Sequence, residues 1–253
     1  MDIVRDVKLS PTLDEPRRIA LFLDLDGTIL DIASAPMEVS TPADVVETLR
    51  DLQGSLGGAV AVLTGRNIAD VDRLLAPLRL AAAGVHGSEI RLDPGAEIDS
   101  CDDVVPAPLK KDVERLAGGV PGVLFEDKGS SIAIHYRAVP DMEPLLETEL
   151  RRLLDHHPSR LVLSHGRRVL ELVPERSTKG AALERMMGLP PFRDRVPVMI
   201  GDDMPDETAL AAAVELGGLG LKVRGEHFRS GSLHFGGPAE VRGWLRALAK
   251  QLL

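Results

Sequence analysis

Short apolar runs alternate with amphipathic stretches along most of the chain. Residues 18–24, RIALFLD, are apolar almost without a break and stop at Asp-Leu-Asp-Gly. A run this short and this continuous predicts a strand buried on both faces, as in a parallel sheet. Helical spacing follows from Thr41 to Leu52, with Pro42 just inside its start, a position where the missing N–H costs nothing. A second buried strand is predicted over 58–64, GAVAVLT, and a helix over Ile68 to Leu75. Leu80 to Val85 and Glu89 to Leu92 read as shorter extended segments. Regular strand–helix alternation of this kind predicts a doubly wound α/β core.

The pattern changes after about Pro106. Leu109 to Leu116 predicts a helix ended by Gly118-Gly119. Gly122 to Lys128 and Ser131 to Arg137 predict a hairpin turning at Gly129-Ser130, a two-residue connection typical of paired antiparallel strands. Pro144 to His156 carries Leu145, Leu146, Leu150, Leu153 and Leu154 at helical spacing. Leu161 to Ser164 and Arg168 to Val173 predict a second hairpin around His165-Gly166-Arg167. The order αββαββ predicts a small α+β unit with helices on one face of an antiparallel sheet. The α/β pattern then resumes: helix over Lys179 to Met187, strand over Val196 to Ile200, helix over Glu207 to Glu215, strand over Leu219 to Val223, and a closing helix marked by Val241, Trp244, Leu245, Leu248 and Leu252. The expected division is a core of residues 1–107 and 175–253 interrupted by a unit of residues 108–174, with Pro106, Pro108 and Pro174 as hinges.

Composition narrows the functional classes. The 253 residues carry a formal net charge of −9, which argues against a nucleic-acid binder needing clustered positive charge. Cys101 is the single cysteine; it cannot close an internal disulfide or build a cysteine-rich zinc site, so a reducing compartment, the cytoplasm, is expected. The first 18 residues are too charged for a signal-peptide core, and no run reaches the roughly 18 apolar residues of a membrane helix.

Three predicted strands end in polar clusters: DLDGT at 24–28, Thr64-Gly65-Arg66, and GDD at 201–203. In a parallel α/β sheet the carboxyl ends of the strands share one edge, where ligands bind. Asp24, Asp26, Asp202, Asp203 and Asp206 would then crowd several carboxylates together. Such a group repels itself unless a cation offsets it, and an all-oxygen donor set suits Mg²⁺. Taken singly, Asp-x-Asp-Gly is more often a turn, Thr64 a helix cap, Lys179 a solvated surface lysine, and the acids after Gly201 a complement to a helix N-terminus. The fixed order of these sets, each directly after a strand or at a helix start, raises the odds of a shared site.

That ordered set resembles the haloacid dehalogenase-like (HAD) phosphatase superfamily. DLDGT matches its first motif, Thr64 its second, Lys179 its third, and GDDMPDE at 201–207 its acidic fourth. The insertion between Thr64 and Lys179 resembles the α/β cap of type C2B. Within the superfamily, AGVHGSEI (83–90), FEDKGSSIAIHYR (125–137), VLELVPERSTKGAAL (169–183), GDDMPDETAL (201–210) and LGGLGLKVRGE (216–226) resemble the trehalose-6-phosphate phosphatases. Pro205 departs from the threonine common there; the flanking carboxylates are intact, so a local backbone change is expected.

The resemblance implies Mg²⁺-dependent hydrolysis of trehalose 6-phosphate, the last step of trehalose biosynthesis, through an aspartyl-phosphate. Asp24 would be the nucleophile, Asp26 the acid and then the base, and Thr64 and Lys179 phosphoryl contacts. Asp24, the main-chain carbonyl of Asp26, and Asp202 would hold the metal, with Asp203 and Asp206 in support. From the cap, Glu126, Lys128, Arg137 and Glu171 match sugar-contacting positions, and Gly65, Arg66, His86 and His135 complete the expected substrate set. The family setting leaves room for pairing with a trehalose-6-phosphate synthase. Three alternatives stand beside this reading: a phosphatase for sucrose 6-phosphate, one for mannosyl-3-phosphoglycerate, and a non-catalytic sugar-phosphate sensor, which would be expected to have lost Asp24 or Asp26. A dinucleotide enzyme is disfavoured, because Gly218-x-Gly220 is followed by Val223 where that fingerprint needs a third glycine.

Overall fold

The computed structural model describes residues 18–32, 39–100 and 105–253. Cys101 and the charged N-terminal stretch up to residue 17 lie outside the described residues. Contacts divide the chain into two units: Met1–Asp99 with Thr178–Leu253, and Ser100–Ser177. The inserted unit is thus wider than residues 108–174. Pro106 caps a helix and Pro174 ends a strand within it, rather than marking its edges.

The first unit is built on a seven-stranded sheet. Its strands are β1 (Ile19–Leu23), β2 (Val60–Leu63), β3 (Ala81–Gly84), β4 (Glu89–Arg91), β5 (Asp99–Ser100), β10 (Val196–Gly201) and β11 (Leu219–Lys222), in the order β11-β10-β1-β2-β3-β4-β5. The five strands from β11 to β3 run parallel, and β4 turns antiparallel to β3. Every residue of β1, β2 and β3 is buried. This is why those runs lack the alternation of a half-exposed strand. Helices α1 (Ala43–Ser55), α2 (Ile68–Leu75), α5 (Lys179–Met187), α6 (Glu207–Glu215) and α7 (Pro238–Leu252) complete the unit. Helix α1 packs on α7 and α5 on α6. Phe22, Leu63, Ile200, Leu183 and Trp244 belong to one core cluster, and each large apolar side chain so buried contributes about 1.5–3 kcal/mol.

The second unit has the order α3 (Ala107–Gly118), β6 (Leu124–Asp127), β7 (Ile132–His135), α4 (Glu143–His156), β8 (Leu161–Gly166), β9 (Val169–Pro174), with sheet order β6-β7-β9-β8 and all pairs antiparallel. Its core joins Leu109, Val113, Leu146 and Leu150 of the helices to Ile132, Ile134, Leu170 and Leu172 of the strands. Alternation along a strand sends successive side chains to opposite faces. The intervening residues, among them Glu126, Ala133, His135 and Glu171, therefore share the face turned away from the helices.

The first hairpin turns at Gly129-Ser130, closed by the Lys128 N–H donating to the Ser131 carbonyl at 3.0 Å. The second does not turn around His165-Gly166-Arg167. Strand β8 runs on to Gly166, which pairs with Val169, and the turn is Arg167-Arg168 with Arg168 at φ 58°. A non-glycine residue accepts the left-handed conformation there, so glycine was a misleading marker of the tip. Strand β7 stops at His135, which leaves Arg137 in an exposed turn rather than beside His135 on a strand face.

Candidate active site

Asp24 directly follows β1, and its N–H donates to the carbonyl of Ile200 on β10 at 3.0 Å. The chain therefore leaves the sheet locked between two parallel neighbours, with Asp24 only 5% exposed. Lys179, the first residue of α5, donates through Nζ to Asp24 Oδ1 at 2.7 Å and to Asp206 Oδ1 at 2.6 Å. Asp202, at the end of β10, accepts from the Thr28 hydroxyl at 2.9 Å. Asp24, Asp202 and Asp206 each bring a carboxylate oxygen to within 4.8 Å of the others. Residues separated by up to 182 positions thus meet because parallel strands end along one edge.

The backbone around the acids is shaped to admit them. Gly27 has φ +86°, and a Cβ there would lie 2.2 Å from Asp202 Oδ2, so only glycine lets the first loop close on the third carboxylate. The other oxygen of Asp206, Oδ2, accepts from the N–H groups of Asp202 and Asp203, both at 3.1 Å, while Asp203 accepts from Met204 N at 2.9 Å. Residues Met204–Asp206 form a single 3₁₀ turn with Pro205 in its first positions. Proline fits because the N–H it lacks has no bond to make there. The departure from threonine leaves both carboxylates in place.

Three buried acids face one ammonium. Burial, with the charges of Asp206 and Asp202, raises the Asp24 pKa well above the ordinary carboxylate value, against the opposing pull of Lys179. Burial and the charge of Asp206 push Asp202 up to about 7. Burial alone would lower the Lys179 pKa, but Asp206 and Asp24 more than reverse that and raise it, so the ammonium stays charged. An excess of hard oxygen donors held this close fits a divalent cation.

Asp26 takes a different partner. Its carboxylate accepts two bonds from Arg66, at 2.6 and 2.7 Å, a bidentate charge-assisted pair. The Arg66 side chain is 10% exposed and that of Asp26 33%. Burial works against the charge on Arg66; the bond and charge of Asp26 outweigh it and raise its pKa. Thr64, at the end of β2, accepts from the Arg66 N–H through its hydroxyl at 3.2 Å. The ring of His86 lies over Gly65, where a Cβ would meet it at 2.8 Å.

In the inserted unit the sheet face turned away from the helices carries a second polar set. Register places Glu126 opposite Ala133, and Ala133 opposite Glu171. Glu126 accepts from His135 Nε2 at 2.7 Å, and Lys128 is bonded to Glu171, both side chains nearly buried. The bond from His135 holds the Glu126 carboxyl below its usual range, burial opposing it. Arg137 lies past the end of β7.

The predicted core residues therefore fall into two sets. Asp24, Lys179, Asp202 and Asp206 form one cluster; Asp26, Thr64, Gly65, Arg66 and His86 form the adjoining loops. Thr28, the last residue of DLDGT, is a functional residue that motif matching alone does not single out: its hydroxyl fixes Asp202. The signal was its spacing, four residues beyond Asp24 and directly after a glycine. Asp206, expected as support, also ranks beside Asp24 and Asp202 as a carboxylate oxygen donor.

Residues 22–234 match the family model described as trehalose-phosphatase. A probable trehalose-phosphate phosphatase of Sinorhizobium fredii is 38% identical over 205 residues, covering 81% of this chain and 77% of that protein. The trehalose-6-phosphate phosphatase of Escherichia coli is 32% identical over 245 residues, covering 96% and 91%. Among solved structures, the C-terminal domain of Candida albicans trehalose-6-phosphate phosphatase superposes with a TM-score of 0.81 at 18% identity, covering 98% of this chain and 95% of that one. At that identity the likeness concerns the fold. No helix among the described residues is long and apolar enough to cross a membrane.

Proposed function

The chain belongs to the trehalose-phosphatase family of HAD-like phosphatases, and from that premise we propose that it hydrolyses trehalose 6-phosphate to trehalose and phosphate. The observation that carries this reading is the buried chain of contacts from Asp24 through Lys179 to Asp206, beside Asp202.

Asp24 attacks phosphorus through a carboxylate oxygen, and the bond from phosphorus to the sugar oxygen breaks. Asp26 gives that oxygen a proton, so trehalose departs as an alcohol. The same carboxylate then takes a proton from water, the water oxygen bonds to phosphorus, and Asp24 is released with inorganic phosphate. Both oxygens of Asp26 accept from Arg66, which holds the side chain in place; one of the two bonds opens when that oxygen carries the proton. Lys179 aims Asp24 and supplies positive charge to the transferring group, with the Thr64 hydroxyl as a further contact. A divalent cation, which we read as Mg²⁺, would be held by Asp24, Asp202 and the Asp26 carbonyl, and it supplies the charge that keeps Asp24 ionised for attack. Asp203 and Asp206 support this arrangement.

The inserted unit supplies sugar recognition in this reading. Glu126, Lys128, His135 and Glu171 present hydrogen-bonding groups from a single sheet face, and Arg137 adds to the set. A site built to hydrogen-bond a ligand's hydroxyls discriminates strongly against a ligand that lacks them. Glu126→Ala is expected to lower kcat/KM for trehalose 6-phosphate about 100-fold while changing that for p-nitrophenyl phosphate less than about threefold. Steady-state kinetics on the two esters checks this, and equal losses on both would remove Glu126 from sugar reading. The activity itself is tested by phosphate release from trehalose 6-phosphate, sucrose 6-phosphate, mannosyl-3-phosphoglycerate and glucose 6-phosphate. Turnover of trehalose 6-phosphate well above the other three is expected, and preference for another ester would overturn the assignment. Asp24 and Asp26 are both present, so nothing favours a non-catalytic sensor. We read the setting as the cytoplasm, from the single cysteine, with a trehalose-6-phosphate synthase as source of the substrate.

A further inference from the structure

Three successive residues after β3 have positive φ: Val85 at 47°, His86 at 56° and Gly87 at 105°. For a β-branched valine this is a true outlier, and such strain persists only where the surroundings over-determine it. Here they do, from two sides. Toward the second motif, Val85 N donates to the Arg66 carbonyl at 2.9 Å and His86 N donates to the Thr64 carbonyl at 3.1 Å. Toward the third motif, a Cβ on Gly87 would lie 2.8 Å from the carbonyl oxygen of Thr178 and 3.2 Å from Ala182 Cβ. Thr178 caps α5, its hydroxyl accepting from Ala181 N and its carbonyl from Ala182 N, both at 3.1 Å. The next residue is Lys179.

We infer that Gly87 is a positioning residue: without a side chain, the left-handed turn 85–87 seats directly on the Thr178 carbonyl and so fixes the start of α5, and with it Lys179, against the loop that carries Thr64 and Arg66. Two segments that share no strand pairing are thereby joined through one strained turn. The contact is backbone on backbone, so a methyl group at 87 cannot be absorbed by a side-chain rotation. It moves the helix start, and a shift approaching 1 Å at the reacting groups costs on the order of 100-fold in rate. The inference rests on the phosphatase reading, and the wild-type protein assayed in parallel tests that reading separately.

The experiment compares wild type, Gly87→Ala, Lys179→Ala and the double variant on trehalose 6-phosphate and p-nitrophenyl phosphate, with near-ultraviolet circular dichroism to establish folding. Gly87→Ala is expected to lose about 10- to 100-fold in kcat on both esters alike, because the phosphoryl step that Lys179 serves is common to both. In the Lys179→Ala background the same substitution is expected to cost nothing further, as it acts through that lysine. A folded Gly87→Ala protein with wild-type kcat, or a loss that recurs in full without Lys179, overturns the inference. Should Gly87→Ala fail to fold, Ala182→Ser presses on the same contact from the helix with one added atom. A fall in kcat on both esters supports the inference there, and an unchanged kcat refutes it.

Discussion

Asp24→Asn is expected to lower phosphate release from trehalose 6-phosphate by about four orders of magnitude or more, the scale on which enzymes lose rate when a covalent nucleophile is removed. The amide lacks the charge and the basicity to bond to phosphorus. It keeps the shape of the side chain, and its oxygen still accepts from Lys179 where Asp24 Oδ1 now does. The fold should not suffer. Asp24 is buried, and its ionised form is disfavoured by burial and by its acidic neighbours, so a neutral side chain relieves the metal-free cluster. The melting temperature is therefore expected to equal or exceed that of wild type. Phosphate release at a tenth of the wild-type rate by a folded variant would remove Asp24 as nucleophile. A loss of activity accompanied by unfolding would refute the electrostatic account of the cluster.

Exhaustive chelation is expected to abolish turnover nearly as completely, with Mg²⁺ restoring it. Stability gives an independent readout. Asp202 has its pKa raised to about 7, and Asp24 is raised as well. A carboxyl whose folded pKa lies above its unfolded value binds more protons in the native state between those two values, so stability falls as pH rises through that window. The chelated protein should therefore melt at progressively lower temperature from about pH 4 to pH 7 and above. The lowered carboxyls of Asp72 and Glu126 act below their ordinary values of 3.8 and 4.5, outside most of that window, and His234, lowered by burial and Lys222, opposes the trend below its ordinary value of 6.5 as one group against two. Added Mg²⁺ should raise the melting temperature more at pH 8 than at pH 5, because the ion competes with protons for the same oxygens. Full activity after chelation, or an ion effect that does not grow with pH, would contradict a metal bound by these acids.

Much of the molecule was legible before any coordinates. The buried strands announced themselves because a strand covered on both faces has no polar positions, and RIALFLD and GAVAVLT have almost none. Their abrupt polar ends marked the sheet edge where Asp24 and Asp202 meet, and the order of those ends pointed to the family. Local chemistry failed where a residue's conformation depended on its partners. His165-Gly166-Arg167 looked like a turn, yet pairing with β9 carried β8 through the glycine and left Arg168 to take the left-handed position. Arg137 looked like a strand residue, but β7 ended two positions earlier.

The sequence by itself determined the alternation of elements, the insertion between Thr64 and Lys179, and the residue types available to react, because these follow from periodicity and from the intrinsic chemistry of side chains. Only the tertiary structure decided the pairings. Asp26 is bound by Arg66, Thr28 fixes Asp202, Lys179 joins Asp24 to Asp206, and the strained turn at Val85–Gly87 rests on the start of α5. Each of these joins residues on different strands or loops, and separations of a few ångströms across the end of a sheet leave no trace in spacing along the chain. Net charge shows the same division: −9 overall indicated nothing about local charge, whereas three buried acids beside one lysine gather donors that fit a divalent cation.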